Sequence, residues 1–496
     1  ALCRMDVAEA AENDDIAELE RRAWQCCSDA SLGGLRKLLD DGKPVEALLA
    51  KCGGKTPLHV ACYAGADDVV AYLVDLLPQS ALQVRCSRLR LPIDYGHNSC
   101  RDDTLLLLAA RLPDEALLEV AGASPGERRS VLSQACRYGS AAVVRAIVGR
   151  VPQSELGREK HLLSLLTGFA SSAKQADQVA QYSACIEALT GAMTEEHMCM
   201  TETESGDGPL HVAAKMKAAE LFDTLLRCLP LSAKRLISRT DRTPLYHILE
   251  KSRHPRCAQL ARKLLQELPD DDLCHRDFFG DTPLHCALRT GTEVTNDIMQ
   301  RLVTSGKLSA MITSRPYSHP MAVKGPGIPS AWAAALVEST PRELLLDTRN
   351  NPVFNAVVNN DLHAVSAVFD AIPEMGSFRD TYGRTLLHTA ATMSSLHMIR
   401  LCLDNMSPTD ISAADYIAGD TALHAACRSF LTPGSPVFFY ADISAFELLL
   451  ERMPYAARQC RNLEGLTAAD ILLRTAEGAE IVSRYFSTAV KSAALE

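Results

Sequence analysis

One short string recurs along the chain at a nearly constant interval, and no other feature restricts the possible folds as much. Residues 278–291 read FFGDTPLHCALRTG, and related strings are GGKTPLHVACYAG at 53–65, GDGPLHVAAKM at 206–216, DRTPLYHILEK at 241–251, YGRTLLHTAATM at 382–393 and AGDTALHAACRS at 418–429. A single active site gives no reason for such copying. A structural unit that buries its apolar side only against its neighbours does. Anchoring each copy on the residue in the place of His285 gives Trp24, His59, Asp94, Ser133, Ser164, His211, Tyr246, His285, Ala331, Phe354, His388, His424 and Asp470. Most intervals between these anchors fall between 31 and 39 residues, one is 23, and those of 46 or 47 point to insertions.

The copy at 280–304 shows how the string folds. Thr282 is suited to cap a helix through its hydroxyl, and Pro283 fits the first turn, where no amide hydrogen is needed. Leu284, Ala287 and Leu288 form one apolar stripe and Gly291 ends the helix; Ile298, Met299, Leu302 and Val303 predict a second helix. That second helix regularly meets a proline, at Pro78, Pro152, Pro230, Pro269, Pro373 and Pro454. Proline cannot continue a helix, so each copy is expected to release the chain into the next hairpin at a fixed place.

These strings resemble the ankyrin repeat. The resemblance implies an all-α solenoid of about 12 repeats, several of them degenerate, that binds partner proteins through hairpin tips and first-helix surfaces. Four stretches interrupt the period: 168–180, 193–205, 305–330 with Pro316, Pro320, Pro326 and Pro329, and 429–441. The expected organisation is an N-terminal stack over 1–304 with a helical cap at 6–22, a Pro-rich insertion or linker at 305–330, and a C-terminal stack over 331–496 closed by a helix at 480–496.

Composition narrows the function. With 496 residues and only 5% aromatics, an array of short close-packed helices fits better than one large core. A net charge of -10 disfavours nucleic acid as a direct ligand. No run of 18 apolar residues predicts a membrane span, and the start ALCRMDVAEAAENDD is not a secretory signal. The 17 cysteines include Cys62, Cys136, Cys286 and Cys427 at small-residue positions, which reads as reduced thiols in the cytoplasm or another reducing compartment.

No catalytic, cofactor or metal site is predicted. CGGKTP at 52–57 lacks the glycine that a phosphate loop needs at Leu49. In the family the repeated histidine is structural, hydrogen-bonding backbone near the neighbouring hairpin, so His59, His211, His285, His388 and His424 are not expected to hold metal. The pairs His197 with Cys199, His254 with Cys257, and Cys274 with His275 have no partner pairs at finger spacing.

The predicted partner-binding residues sit at hairpin tips: Arg239, Arg242, Arg276, Phe278, Phe279, Arg379, Tyr382 and Tyr416, with Lys55, Ile417, Arg384 and Arg461 at equivalent places. Arginine beside an aromatic is the composition of interface hot spots. Phe438, Phe439 and Tyr440, in PVFFYA, form a second candidate. The reading is a non-enzymatic scaffold or adaptor. The alternatives are a structural subunit of a large cytoskeletal, ciliary or ribonucleoprotein assembly, and an effector with a catalytic insertion at 305–330 or 429–441.

Overall fold

The computed structural model describes residues 18–40, 54–97, 99–119, 129–171, 176–216, 219–291, 293–312, 319–393, 395–431 and 443–486. The chain divides into two compact units, Ala1–Pro244 and Leu245–Glu496. Within each unit a helix pair, a one-turn helix and a projecting hairpin succeed one another, and the described residues contain no strand.

The segment 283–312 shows the unit in full. Pro283–Thr290 ends at Gly291, whose φ of 63° lets its amide turn back to the carbonyl of Ala287. A Cβ there would collide with Pro326, so the glycine is required by packing as well as by conformation. Leu284, Ala287 and Leu288 are buried, as are Ile298, Met299 and Leu302 of the following helix Val294–Thr304. Each buried leucine stabilises the stack by about 1.5–3 kcal/mol. Val303, expected in the same stripe, is instead exposed, because it falls beyond the edge of a face centred on Ile298 and Leu302.

Ten of the thirteen anchors occupy the third position of a first helix; His59 in Pro57–Ala64, Asp94 in Pro92–Gly96 and Phe354 in Pro352–Val358 are examples. Ser164 is one place later, in His161–Ser171, and Trp24 lies in the helix over 18–28. Ala331 is different. It belongs to a second helix, Ser330–Glu338, where the neighbouring Trp332 donates its indole N–H to Asn296 of Val294–Thr304 at 3.0 Å. The first helix of that copy has shrunk to the single turn Pro320–Ala322, capped by His319, whose Nδ1 accepts the amide of Met321. Moving the anchor to Ala322 replaces the intervals of 46 and 23 by 37 and 32, so much of the supposed insertion is a reduced repeat.

The described part of that stretch, 319–330, is packed on several sides. Asp361 accepts the amide of Ile328 at 2.7 Å, and Asn359 donates to the carbonyl of Val323 at 3.1 Å. The acidic stretch 193–205 also keeps the pattern: Glu195–Met198 is a one-turn helix capped by Thr194, and the amide of Glu202 donates to Asp207 across the next hairpin.

The prolines stop the second helices as expected, but the chain does not pass straight to a hairpin. Pro78 caps the one-turn helix Gln79–Leu82, Pro230 caps Leu231–Lys234, Pro269 caps Asp270–Cys274 and Pro454 caps Tyr455–Arg458, while Pro373 opens Pro373–Gly376. A residue with φ fixed near -65° that lacks an amide hydrogen suits both the stop and the new start.

Repeat-to-repeat hydrogen bonds run through the third residue of several first helices. His59 Nδ1 accepts the amide and the hydroxyl of Thr56 at 3.2 and 2.7 Å, so its Nε2–H is left to donate to the Arg90 carbonyl at 3.1 Å in the next repeat. His211 reaches Arg242, His388 reaches Asp420 and His424 reaches Leu466 in the same way, at 2.8, 3.0 and 3.1 Å. The threonine hydroxyl, expected to cap the helix, forms a capping box with the third residue and also binds the imidazole. Tyr246 makes the link by donating to the carbonyls of His275 and Asp281, and Ser133 makes it to His161 at 3.0 Å.

Replacing His388 by Ala leaves the Thr385 amide and the Asp420 carbonyl without their partner and should cost about 1–3 kcal/mol, read as a lower denaturant midpoint. Acid should act on the same class of group. Burial depresses His161 and His97 to about 4 and His319 to about 3. Between those values and about 6.5 the unfolded chain binds more protons than the folded one, so stability should fall as pH drops through that window. A flat melting temperature from pH 7 to pH 4 would contradict this.

Candidate functional site

Each hairpin tip is set by two residues. Asp277 accepts the amides of Phe279 and Asp281 at 2.9 and 3.0 Å, and Gly280 takes φ of 86° to close the turn. Asp380 with Gly383 and Asn462 with Gly465 repeat this geometry, and Asp415 with Gly419 closes a tip one residue longer. In unit Ala1–Pro244 the acceptors are Cys86 and Ser238, and Leu89 and Asp241 adopt the positive φ without being glycine.

Neighbouring tips are joined through the backbone. Thr381 donates to Thr348, Tyr416 to Tyr382 at 2.8 Å, and Leu463 to Ala418 at 2.8 Å. Gly383 is pressed against the ring of Tyr416 and Gly419 lies close to Leu463, and φ values of 78° and 67° make a side chain unfavourable at both positions. The row is therefore preorganised, which lowers the ordering cost of binding.

Backbone groups consume the turn, and the residues between acceptor and glycine project outward. Phe278 and Phe279 are 72% and 71% exposed, with their rings edge to face at 5.6 Å. Tyr416 and Ile417 are both 66% exposed, Tyr382 is 51% exposed and Leu463 75%. More than half of each of these side chains lies in solvent. Leu463 was not among the predicted residues; it becomes visible once NLEG is aligned with DFFG as acceptor, two tip residues and glycine.

The predicted arginines are placed differently. Arg276 donates to Gly280 and to the Met311 carbonyl, Arg379 to Ala414 at 3.3 Å, and Arg239 to Thr203 at 2.7 Å. Arg384 pairs with Asp380 at 2.7 Å and lies 5.0 Å from the Tyr382 ring centre. The Arg242 carbonyl receives His211, and its amide donates to Ser238. The side chains of Arg239, Arg276 and Arg379 thus tie each hairpin to a neighbour, and the aromatics are left as the outward surface. Phe438, Phe439 and Tyr440 lie outside the described residues.

Beneath the tips, between the first helices Pro352–Val358 and Leu386–Thr392, lies a cleft of about 260 Å³ lined by Arg349, Phe354, Asn355, Tyr382, Arg384 and Thr389 among others. Thr389 Oγ1 is buried there with no hydrogen-bond partner. Such an atom is costly to leave unsatisfied and marks a place where an incoming donor would gain.

Among the described residues no group of three His, Cys, Asp or Glu side chains is placed to hold a metal ion, and no helix is long and apolar enough to cross a membrane. The described cysteines are all free thiols, and burial pushes Cys27, Cys185 and Cys402 up to about 12. Burial likewise holds His211, His388 and His424 below the usual histidine range, in keeping with neutral rings that carry a structural hydrogen bond.

Helix pairs stacked by their third residues and edged by backbone-linked hairpins define a solenoid repeat protein. Residues 53–76 match the ankyrin repeat family. Among solved structures it is similar to the ankyrin repeat domain of Bcl-3, a member of the IκB protein family, at 18% identity over 50% of this chain and 100% of that one, with a TM-score of 0.37. No curated protein sequence matches the chain.

Because their rings are mostly in solvent, the double substitution of Phe278 and Phe279 by Ala should change stability by no more than about 0.5 kcal/mol. Replacing Gly383 by Val should lower the melting temperature clearly, because the φ of 78° and the Tyr416 ring both oppose a side chain.

Proposed function

We propose that the chain is a non-catalytic scaffold that binds a partner protein along the hairpin edge of the Leu245–Glu496 unit. The observation that carries this reading is the set of exposed apolar side chains at Phe278, Phe279, Tyr382, Tyr416, Ile417 and Leu463, held on turns that are themselves rigid. A soluble surface rarely keeps so many large apolar groups at one repeated position without a use for them. Aromatics with few rotatable bonds bind at low entropic cost, and the arginines that brace them add rim charge. Arg239 and Arg242 hold the equivalent hairpin position in the Ala1–Pro244 unit. The free thiols fit a scaffold that works in a reducing compartment.

The reading is tested by affinity capture from native extract, using the full chain and a variant with Phe278, Phe279, Tyr382 and Tyr416 all changed to Ala. A protein recovered in near-stoichiometric amount with the wild type and lost with the variant, at unchanged helicity, is the expected outcome. Equal recovery would remove this edge as the binding surface. Recovery of a whole assembly that survives the substitutions would favour the structural-subunit reading, with contacts made through other faces such as that of Tyr455 and Leu473, each about half exposed.

A further inference from the structure

A second surface lies in the Ala1–Pro244 unit, and it is built from charge. The residue immediately before the first-helix cap is Lys55 before Thr56, Arg90 before Leu91 and Arg129 before Ser130, in three consecutive repeats. In the next two repeats the corresponding residues are Glu159 and Asp207. A chain of net charge -10 therefore carries a register-matched run of three cations, ended by acids.

Tyrosines accompany the cations. Lys55 Nζ lies 5.0 Å from the ring centre of Tyr63 and 4.9 Å from that of Tyr95, and the two rings meet edge to face at 6.3 Å. In the third repeat Tyr138 stacks on His97 at 5.8 Å, beside Arg137. Tyr63 is 64% exposed, and Tyr95 and Tyr138 are partly exposed. Each repeat thus offers a cation and an accessible aromatic ring.

Among the described residues no carboxylate forms an ion pair with Lys55, Arg129 or Arg137. The nearby acids are engaged elsewhere. Glu119 pairs with Arg85 at 2.7 Å, Glu159 accepts the amide and hydroxyl of Ser130 at 2.9 and 3.0 Å, and Asp94 is buried, accepting the amide of Leu91 at 2.8 Å. Partial burial and the positive charges of Arg137 and Arg90, set against the opposing pull of Glu159, leave the Arg129 guanidinium below its usual pKa, as expected where like charges gather.

From the repeating cation and ring we infer that this face binds an acidic peptide segment in polyproline II conformation, with carboxylates at every third residue. Packed helices stand about 8–10 Å apart, so equivalent residues of successive repeats recur at roughly that distance. A polyproline II strand rises about 3.1 Å per residue and returns to the same face every third residue, about 9.3 Å on. Carboxylates at i, i+3 and i+6 therefore meet Lys55, Arg90 and Arg129 in turn, and the residues between them, best proline, lie on the tyrosine rings. Nucleic acid fits less well, because three cations neutralise few phosphates and the rest of the chain is acidic. This inference is independent of the hairpin edge in Leu245–Glu496.

The test uses the full chain and fluorescein-labelled peptides read by anisotropy. The probe peptide is EPPEPPEPP; QPPQPPQPP removes the charge and EEEPPPPPP removes the spacing. The probe should bind at least about ten-fold more tightly than either control, and binding should weaken as salt rises from about 0.05 to about 0.3 M. K55E and R129E should each lower its affinity by about ten-fold or more. Melting temperature and circular dichroism verify the fold of each variant, and K55E decides the matter if R129E does not fold. Equal binding of the glutamate and glutamine peptides, unchanged binding by folded K55E, or preferential binding of a nine-nucleotide single strand would each overturn the inference.

Discussion

The stack depends on a bifunctional side chain that recurs along the chain. At the third position of the first helix, a group must reach back to the start of its own helix and forward to the next hairpin, and histidine does both with the two nitrogens of one ring. His59, His211, His388 and His424 accept behind and donate ahead, which fixes the tautomer and keeps the ring neutral. Where the residue differs, part of the task persists. Asp94 and Asp470 keep the backward bond, to Leu91 and Thr467 at 2.8 and 2.9 Å, whereas Tyr246 and Ser133 keep the forward one. Hydrophobic burial supplies most of the stabilisation, but it does not choose a register. These directional bonds do.

Much of this was legible in the sequence because cap chemistry is local. Thr-Pro, the third-position histidine and the closing glycine report a helix start and stop within ten residues, so ten anchors fell on the correct turn. Ala331 failed for a physical reason. In that copy histidine itself takes the cap position at His319, alanine stands third at Ala322, and the conspicuous apolar run at 331–337 is the second helix. Hydrophobic periodicity alone cannot distinguish a first helix from a second.

The candidate site was legible in position more than in role. Tips were expected to carry arginine and aromatic residues together, yet a guanidinium has five donors and finds carbonyls in the adjacent repeat, as with Arg276 and Met311 or Arg379 and Ala414. Such long-range partners have no trace in a single sequence. A phenyl ring has no donor to satisfy, and Phe278 and Phe279 stay in solvent. The cation run at Lys55, Arg90 and Arg129 is not legible in the sequence, because its regularity appears only once each first helix has a defined start.

The hairpin turn has a consequence for how such a chain diversifies. Its shape is written by the acceptor at one end and the residue of positive φ at the other, as Asp277 and Gly280 show. The residues between them, Phe278 and Phe279 in one tip, Tyr416 and Ile417 in another and Leu463 and Glu464 in a third, contribute little to the turn. Selection can therefore act on two alphabets in the same few residues. The outer letters are constrained by the turn, while the inner ones can vary at little structural cost, so the frame can be kept while specificity is exchanged one finger at a time.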